Sequence, residues 1–329
     1  LPARSGKASG HVRVTQNSGG ALRMVGEARA EQVVMTPEPL HEPLVAKTLS
    51  IQFDGPRMTL RAEGSAGRIP ITASGSLLLR QEDTLLNLRF RAPRLADADA
   101  RKAVRDWPVL PGVVWDAPAE LQAHVTGSSE AWSAKVEGRL PRVTARGFVF
   151  NNLRTDMTYH RVPRLFIVRS AQAEVSGGVV RATGRVDVKS TPSRIAFQGV
   201  VENVDLAQLP LMTGVPKQGR GNVRFQASGP VDNVHTTFTA SASGIRLGPA
   251  RFRQASAVIE LPWEGDVVVK ARASGIQPAE KGGLLPASES GSATFAVGDR
   301  IRISAAEFVV AGQKIGLTGS ATESGELDL

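Results

Sequence analysis

Cysteine is missing from all 329 positions, which removes disulfide frameworks, thiolate metal sites and cysteine nucleophiles together. The same absence fits an oxidising compartment, where stray thiols are hazardous. Aromatic residues make up only 5% of the chain and Tyr159 is its single tyrosine, so there is little from which to build the stacking platforms that hold single-stranded nucleic acid. No apolar run approaches the roughly 18 residues that a membrane helix needs. Leu1 opens the chain in place of an initiator Met, and Arg4 and Lys7 are followed by small and polar residues rather than an apolar stretch. No signal peptide is read there, and the expectation is a processed or excised piece of a longer protein.

Catalytic signatures are missing too. There is no G-x-S-x-G elbow, no GxxxxGK[ST] phosphate loop and no H-E-x-x-H helix. His11, His41, His124, His160 and His235 stand apart from one another in sequence. Asp97 and Asp99 fall in a connector, and Glu31, Glu38 and Glu42 fall in a Pro-rich loop; all read as solvent-facing. No residue is assigned a catalytic or metal-ligating role and no cofactor is expected.

What is present is glycine (33), proline (20) and a surplus of cations, 40 Lys+Arg against 31 Asp+Glu, for a net charge of +9 and a pI near 10.4. The cations are mostly Arg, spread along the chain without a dense cluster. They read as a solvated outer face rather than a nucleic-acid or polyanion site.

Hydropathy alternates almost everywhere. In GNVRFQASG, Val223, Phe225 and Ala227 fall on one side while Arg224, Gln226 and Ser228 fall on the other. Phe238, Ala240 and Ala242 repeat the pattern against Thr237, Thr239 and Ser241, as do Val267, Val269 and Ala271 against Lys270 and Arg272, and Leu86, Leu88 and Phe90 against Asn87, Arg89 and Arg91. Alternation with one polar face marks antiparallel strands. Helix is confined to short connectors, LADADARKAVRD over 95–106 and DLAQLPLM over 205–212, where Asp205 can cap the first turn. The fold class is all-β.

The chain also repeats itself. ITASGSLLL at Ile71 lies over VRATGRVDV at Val180 with an offset of 109, which sets Gly75 on Gly184, Leu77 on Val186, Leu79 on Val188, Leu88 on Phe197 and Leu95 on Val204. AHVTGSSEAWSAKVEG at Ala123 matches RFQASGPVDNVHTTFTASA with an offset of 102, and SAQAEVSGGVVRATGRV at Ser170 matches AAEFVVAGQKIGLTGSA with an offset of 135. Three units are expected, over about 10–118, 119–220 and 221–329, in one continuous sheet, with an insertion near 280–292 in the third.

The segment IAFQGVVENVDLAQLPLMTGVPKQGRGNVRFQASGPVDN, with its vDLaqL connector and GrGnv.f.asG strand, resembles the AsmA and TamB superfamily of bacterial envelope proteins, and GVVRATGRVDV resembles that family's other recurring strand. The resemblance implies a repeating β-groove: an elongated, twisted antiparallel sheet curled into a trough with an apolar floor. It further implies a non-enzymatic conduit for phospholipid or another acyl lipid between inner and outer membranes, a periplasmic location, and an inner-membrane anchor in an N-terminal segment beyond this sequence. On this reading the groove is lined by Leu77, Leu79, Leu88, Val186, Val188, Phe197, Val223, Phe225, Ala227, Phe238, Val267 and Val269. Small residues such as Ala182, Gly184, Ala240, Ala242, Ala271 and Ala273 leave space above the floor. Alternation alone favours a self-packed sandwich or barrel; the repeat and the resemblance reverse that preference. Two other readings are a scaffold offering a sheet edge to outer-membrane assembly proteins and, more distantly, an elongated β-rich adhesin.

Overall fold

A computed structural model describes residues 4–16, 22–36, 41–80, 83–103, 113–145, 147–209, 217–247, 250–278, 287–297, 301–321 and 327–328. They are almost entirely antiparallel β, with one short α-helix and one 3₁₀ turn among them. The chain divides into two compact units, one of residues 1–146 with 150–170 and one of 147–149 with 171–329. The repeat junctions expected near 118 and 220 lie inside these units.

The first unit is a meander. Its strands are β1 (Ser5–Gln16), β2 (Leu22–Met35), β3 (Leu44–Gly55), β4 (Arg57–Ala66), β5 (Ile69–Leu79) and β6 (Thr84–Leu95). After helix α1 (Asp97–Ala103) come β7 (Val113–Trp115), β8 (Ala119–Ser128) and β9 (Trp132–Ala145). β2 to β6 each pair with the strand before, β8 pairs with β6 and β9 with β8, while the short β7 joins the far end of β9. Tight turns follow from the sequence. Gly55, at φ +61°, and Pro56 connect the paired residues Asp54 and Arg57.

β10 (Phe148–His160) and β11 (Leu165–Val175) carry the division between the units. The second unit continues with β12 (Gly178–Asp187), β13 (Arg194–Asp205), the 3₁₀ turn Leu206–Gln208, β14 (Lys217–Pro230), β15 (His235–Leu247), β16 (Ala250–Leu261), β17 (Val267–Pro278), β18 (Ser288–Val297), β19 (Ile301–Val310), β20 (Gln313–Ala321) and β21 (Leu327–Asp328). From β13 on, each pairs antiparallel with its predecessor.

The registers of the two units correspond residue by residue. Gly75 pairs with Leu88 as Gly184 pairs with Phe197, and Leu86 pairs with Gly127 as Ile195 pairs with Gly229. A bulge interrupts the ladder between Ala92 and Leu95, and another does so between Val201 and Val204. Pro93 sits in the first, where its missing N–H costs no ladder bond. Each bulge is followed by its helical connector. α1 is shorter than the expected 95–106, and residues 104–112 lie outside those described; Asp205 caps the 3₁₀ turn by accepting from the Ala207 N–H at 3.0 Å. The β11–β12 turn (Ser176 φ +46°, Gly177 φ +72°) and the β19–β20 turn (Ala311 φ +50°, Gly312 φ +76°) share the doubly left-handed geometry that matches strand twist.

Of the insertion expected near 280–292, residues 280–286 lie outside those described, and Ser288–Ser292 forms the first half of β18, paired to β17.

Burial is concentrated at one end of each meander. In the first unit Val33, Ala46, Ala66, Ile69, Leu95, Ala119 and Val143 lie there, with Ala100 and Ala103 of α1 packed onto them. α1 is held by an Arg101–Asp97 ion pair of 2.7 Å, by Arg101 donating to the Val113 carbonyl at 2.6 Å, and by the His41 N–H donating to the Ala103 carbonyl at 2.9 Å. At the opposite end Asp83 accepts from the Ser129 hydroxyl, from the Thr84 N–H at 2.7 Å and from the Ser129 N–H at 3.1 Å. The Ser129 hydroxyl bond, opposed by partial desolvation and aided by the backbone donors, holds the Asp83 carboxyl below its ordinary 3.8. A depressed carboxylate contributes stability above its unfolded value and loses it as pH falls through the folded one. Carbon-detected titration is therefore expected to place Asp83 below 3.8, and Ser129→Ala to move it back up; an unmoved midpoint would refute the assignment.

Candidate functional site

Because strands pair in register, alternation along each strand becomes rows across the sheet. In the second unit one row runs Phe225, Phe238, Ile259, Val269, Phe295, Ile303 over β14 to β19. Beside it runs a row of small side chains, Val223, Ala240, Ala257, Ala271, Ala293, Ala306. A third, Gly221, Ala242, Ala255, Ala273, Gly291, flanks that. At about 4.8 Å per strand, the Phe225–Ile303 row covers about 24 Å, longer than the ~15 Å depth of one bilayer leaflet's hydrocarbon. The result is a wall of large side chains along a shelf of alanine.

In the first unit the matching rows are Gly26, Phe53, Met58, Leu77, Leu86, Gly127, Trp132 and Ala28, Ile51, Leu60, Gly75, Leu88, Val125, Ala134. Trp132 continues into an aromatic stack with Tyr159 at 5.4 Å and, through it, Phe166 at 4.5 Å between ring centroids.

The structure brings the expected lining residues together within each unit. Phe225, Phe238 and Val269 share a row; Phe197 pairs with Ala227 in the next; Val186 pairs with Ile195; Leu77 and Leu88 stand in adjacent rows, and Leu79 closes the β5–β6 hairpin opposite Thr84. Val267 pairs with Val297. Val188 differs: β12 ends at Asp187, so Val188 lies past the strand, where Asp187 turns the chain by accepting from the Lys189 N–H. All twelve are half-buried. Phe197 and Phe225 cover the glycines they pair with, Gly184 and Gly199; a Cβ on either glycine would meet the ring at 2.3 and 2.6 Å.

Not nominated from sequence were Phe53, Met58, Leu60, Trp132, Ile259, Phe295 and Ile303. Their signal was available as plain alternation, in MTLRAEG for example, but only the pairing register shows which alternating segments share a row.

Away from the buried end of each unit the apolar rows are mostly part-exposed among the described residues. Toward the edge strands exposure rises, to 39% at Val12, 46% at Ile315 and 40% at Leu317. The charges lie elsewhere. Arg91–Glu120 (2.7 Å), Lys135–Glu137 (2.7 Å), Lys270–Glu260 (3.1 Å), Lys314–Glu307 (3.0 Å) and Arg181–Glu202 pair on the outer face, where solvent screening leaves such pairs little weight in stability. The Arg91 hydrogen bond lowers the Glu120 carboxyl, and the Glu137 bond raises the Lys135 ammonium. Glu31 belongs to β2, not to a loop, and faces outward with them. Among the described residues no group of three or more His, Asp or Glu is placed to hold a metal ion, and no helix is long and apolar enough to cross a membrane.

Such an arrangement can hold an apolar chain laid across the strands. No protein-family model, no curated protein and no solved structure matches this chain.

Proposed function

We propose that the apolar face carries acyl lipid, and that the chain is a segment of a non-enzymatic β-groove conduit moving phospholipid between the inner and outer membranes in the periplasm, as its resemblance to the AsmA and TamB superfamily implies. One observation supports this most: within each unit, apolar rows cross strand after strand and, among the described residues, stay mostly part-exposed, with α1 packed onto one end of the first unit. An acyl chain lying on the alanine shelf against the Phe225–Ile303 wall leaves water along its length, at about 0.8 kcal/mol per buried methylene. The head group stays in solvent at the rim.

The scaffold reading draws support from β1, a twelve-residue strand exposed throughout and paired, among the described residues, with β2 alone. Such an edge can accept a further strand.

Mass spectrometry of lipid extracted from the purified chain separates these readings. Intact two-chain phospholipid above the level carried by an unrelated β-protein is the expected result. An extract free of acyl lipid would favour the scaffold, and phospholipid cleaved by the protein, with cleavage abolished by one substitution, would make it an enzyme.

A further inference from the structure

The outer face of the first unit holds a trough of its own, about 790 Å³, opposite the apolar rows. Its floor is the backbone along Ala30, Leu49, Ala62, Ala73, Phe90 and Ala123, and two polar rows form its sides. One row reads Arg29, Ser50, Arg61, Ser74, Arg89, His124, Lys135 in direct cross-strand register. The other reads Glu31, Thr48, Glu63, Thr72, Arg91, Gln122, Glu137. Five cations thus stand against three carboxylates. Arg91 is engaged by Glu120, and Lys135 by Glu137 and Asp156 at 2.7 and 3.7 Å. Among the described residues Arg29, Arg61 and Arg89 make no ion pair, nor do Glu31 and Glu63.

We propose that this trough binds a linear acidic glycan, its carboxylates on the Arg29–Arg61–Arg89 row and its hydroxyls on the Glu, Thr and Gln row. Arg29, Arg61 and Arg89 recur every second strand, about 9.6 Å apart at ~4.8 Å per strand, close to the length of a disaccharide. One carboxylate per disaccharide would meet one guanidinium after another, each able to hold it with two N–H donors. Ser50 and Ser74, between the arginines, suit the intervening hydroxyls. Glu31 and Glu63 would repel a uniformly anionic chain but accept hydrogen bonds from hydroxyls, which sets a glycan apart from a polyphosphate. Neither row carries a Phe, Tyr or Trp, the large rings that make a stacking platform for successive bases. A concave channel also admits a thread and keeps a flat bilayer from its floor.

The site lies on the face opposite the lipid rows, so either reading can fail alone. Calorimetric titration of the full chain with hyaluronan oligosaccharides of increasing length, which carry one uronate per disaccharide, tests it, beside neutral oligosaccharides of equal length, oligo-dT and anionic phosphatidylglycerol vesicles. Affinity is expected to grow with uronate length until Arg29 to Arg89 is spanned. It is also expected to fall about tenfold in Arg61→Gln and to stay within twofold in Arg224→Gln, which lies on the outer face of the second unit. Arg61 is exposed and unpaired, so its variant keeps the fold. Absence of uronate binding, equal affinity in Arg61→Gln, or tighter binding of oligo-dT or vesicles would each overturn the proposal.

Discussion

Photo-crosslinking probes at Val186, Val223 and Phe225 are expected to capture lipid, and probes at Arg185 and Arg224 to capture little or none. The two sets alternate along the same strands, so an identical local backbone serves as the control. Phe225→Asp is the most damaging single change. It removes the ring that covers Gly199 and leads the row through Phe238 and Ile259, and it sets a carboxylate where an acyl chain would exclude water. Crosslinking at Phe238, Val269 and Phe295 should then drop more than tenfold, a loss of about 1.4 kcal/mol or more. Because the position is half-exposed, circular dichroism should show the strands intact, as it should for Val186→Asp. Arg224→Glu should leave lipid capture within twofold. Equal capture from both faces, or unfolding of both Asp variants with no lipid found, would point instead to a sheet that packs against itself.

The second large effect concerns the ladder itself. Gly75 has φ +146°, and a Cβ placed there would lie 2.1 Å from the Asn87 carbonyl oxygen and 2.8 Å from Leu88 Cα, both backbone atoms that cannot turn aside. Gly75→Ala is expected to cost about 3 kcal/mol, the sum of forced overpacking and an unfavourable backbone. That lowers the melting temperature by on the order of 6–12 °C for a unit of this size. Gly55, at φ +61° with nothing within 4 Å of its imagined Cβ, makes the comparison: Gly55→Asn should cost under about 1 kcal/mol, since Asn tolerates this region. Equal melting points for the two variants would contradict the close approach at Gly75.

Alternation made most of the strands legible. Segments such as 221–229 and 236–242 carry their two faces in the sequence, because a pleated strand turns each successive side chain to the opposite side. The offsets of 109 and 102 located equivalent strands, their bulges and their connectors. Rows were not legible. Phe225, Phe238, Ile259 and Val269 belong to four strands, and Arg29, Arg61 and Arg89 to three more; only hydrogen-bond register, a property of pairs of strands, brings them into line. For that reason the cations read as scattered along the chain although three of them stand in one row. Val188 matches Leu79 in pattern, but Asp187 ends the strand one residue earlier, a boundary that alternation does not mark.

The meander has a consequence for how the protein is made. Apart from the detour around α1 and β7, the strands β2 to β9 and β13 to β21 each bond to the strand just before them in the chain. No pairing waits for a distant segment, so the loop-closure entropy set against each step is small. Folding can then run as a zipper, each new hairpin using the last strand as its template, and can keep pace with a chain that emerges from one end. Unfolding has the same geometry in reverse. Strands should fray from the ends of a unit inward, with amide protection rising strand by strand toward its middle, and a local defect such as Gly75→Ala should loosen its neighbours first and distant strands last.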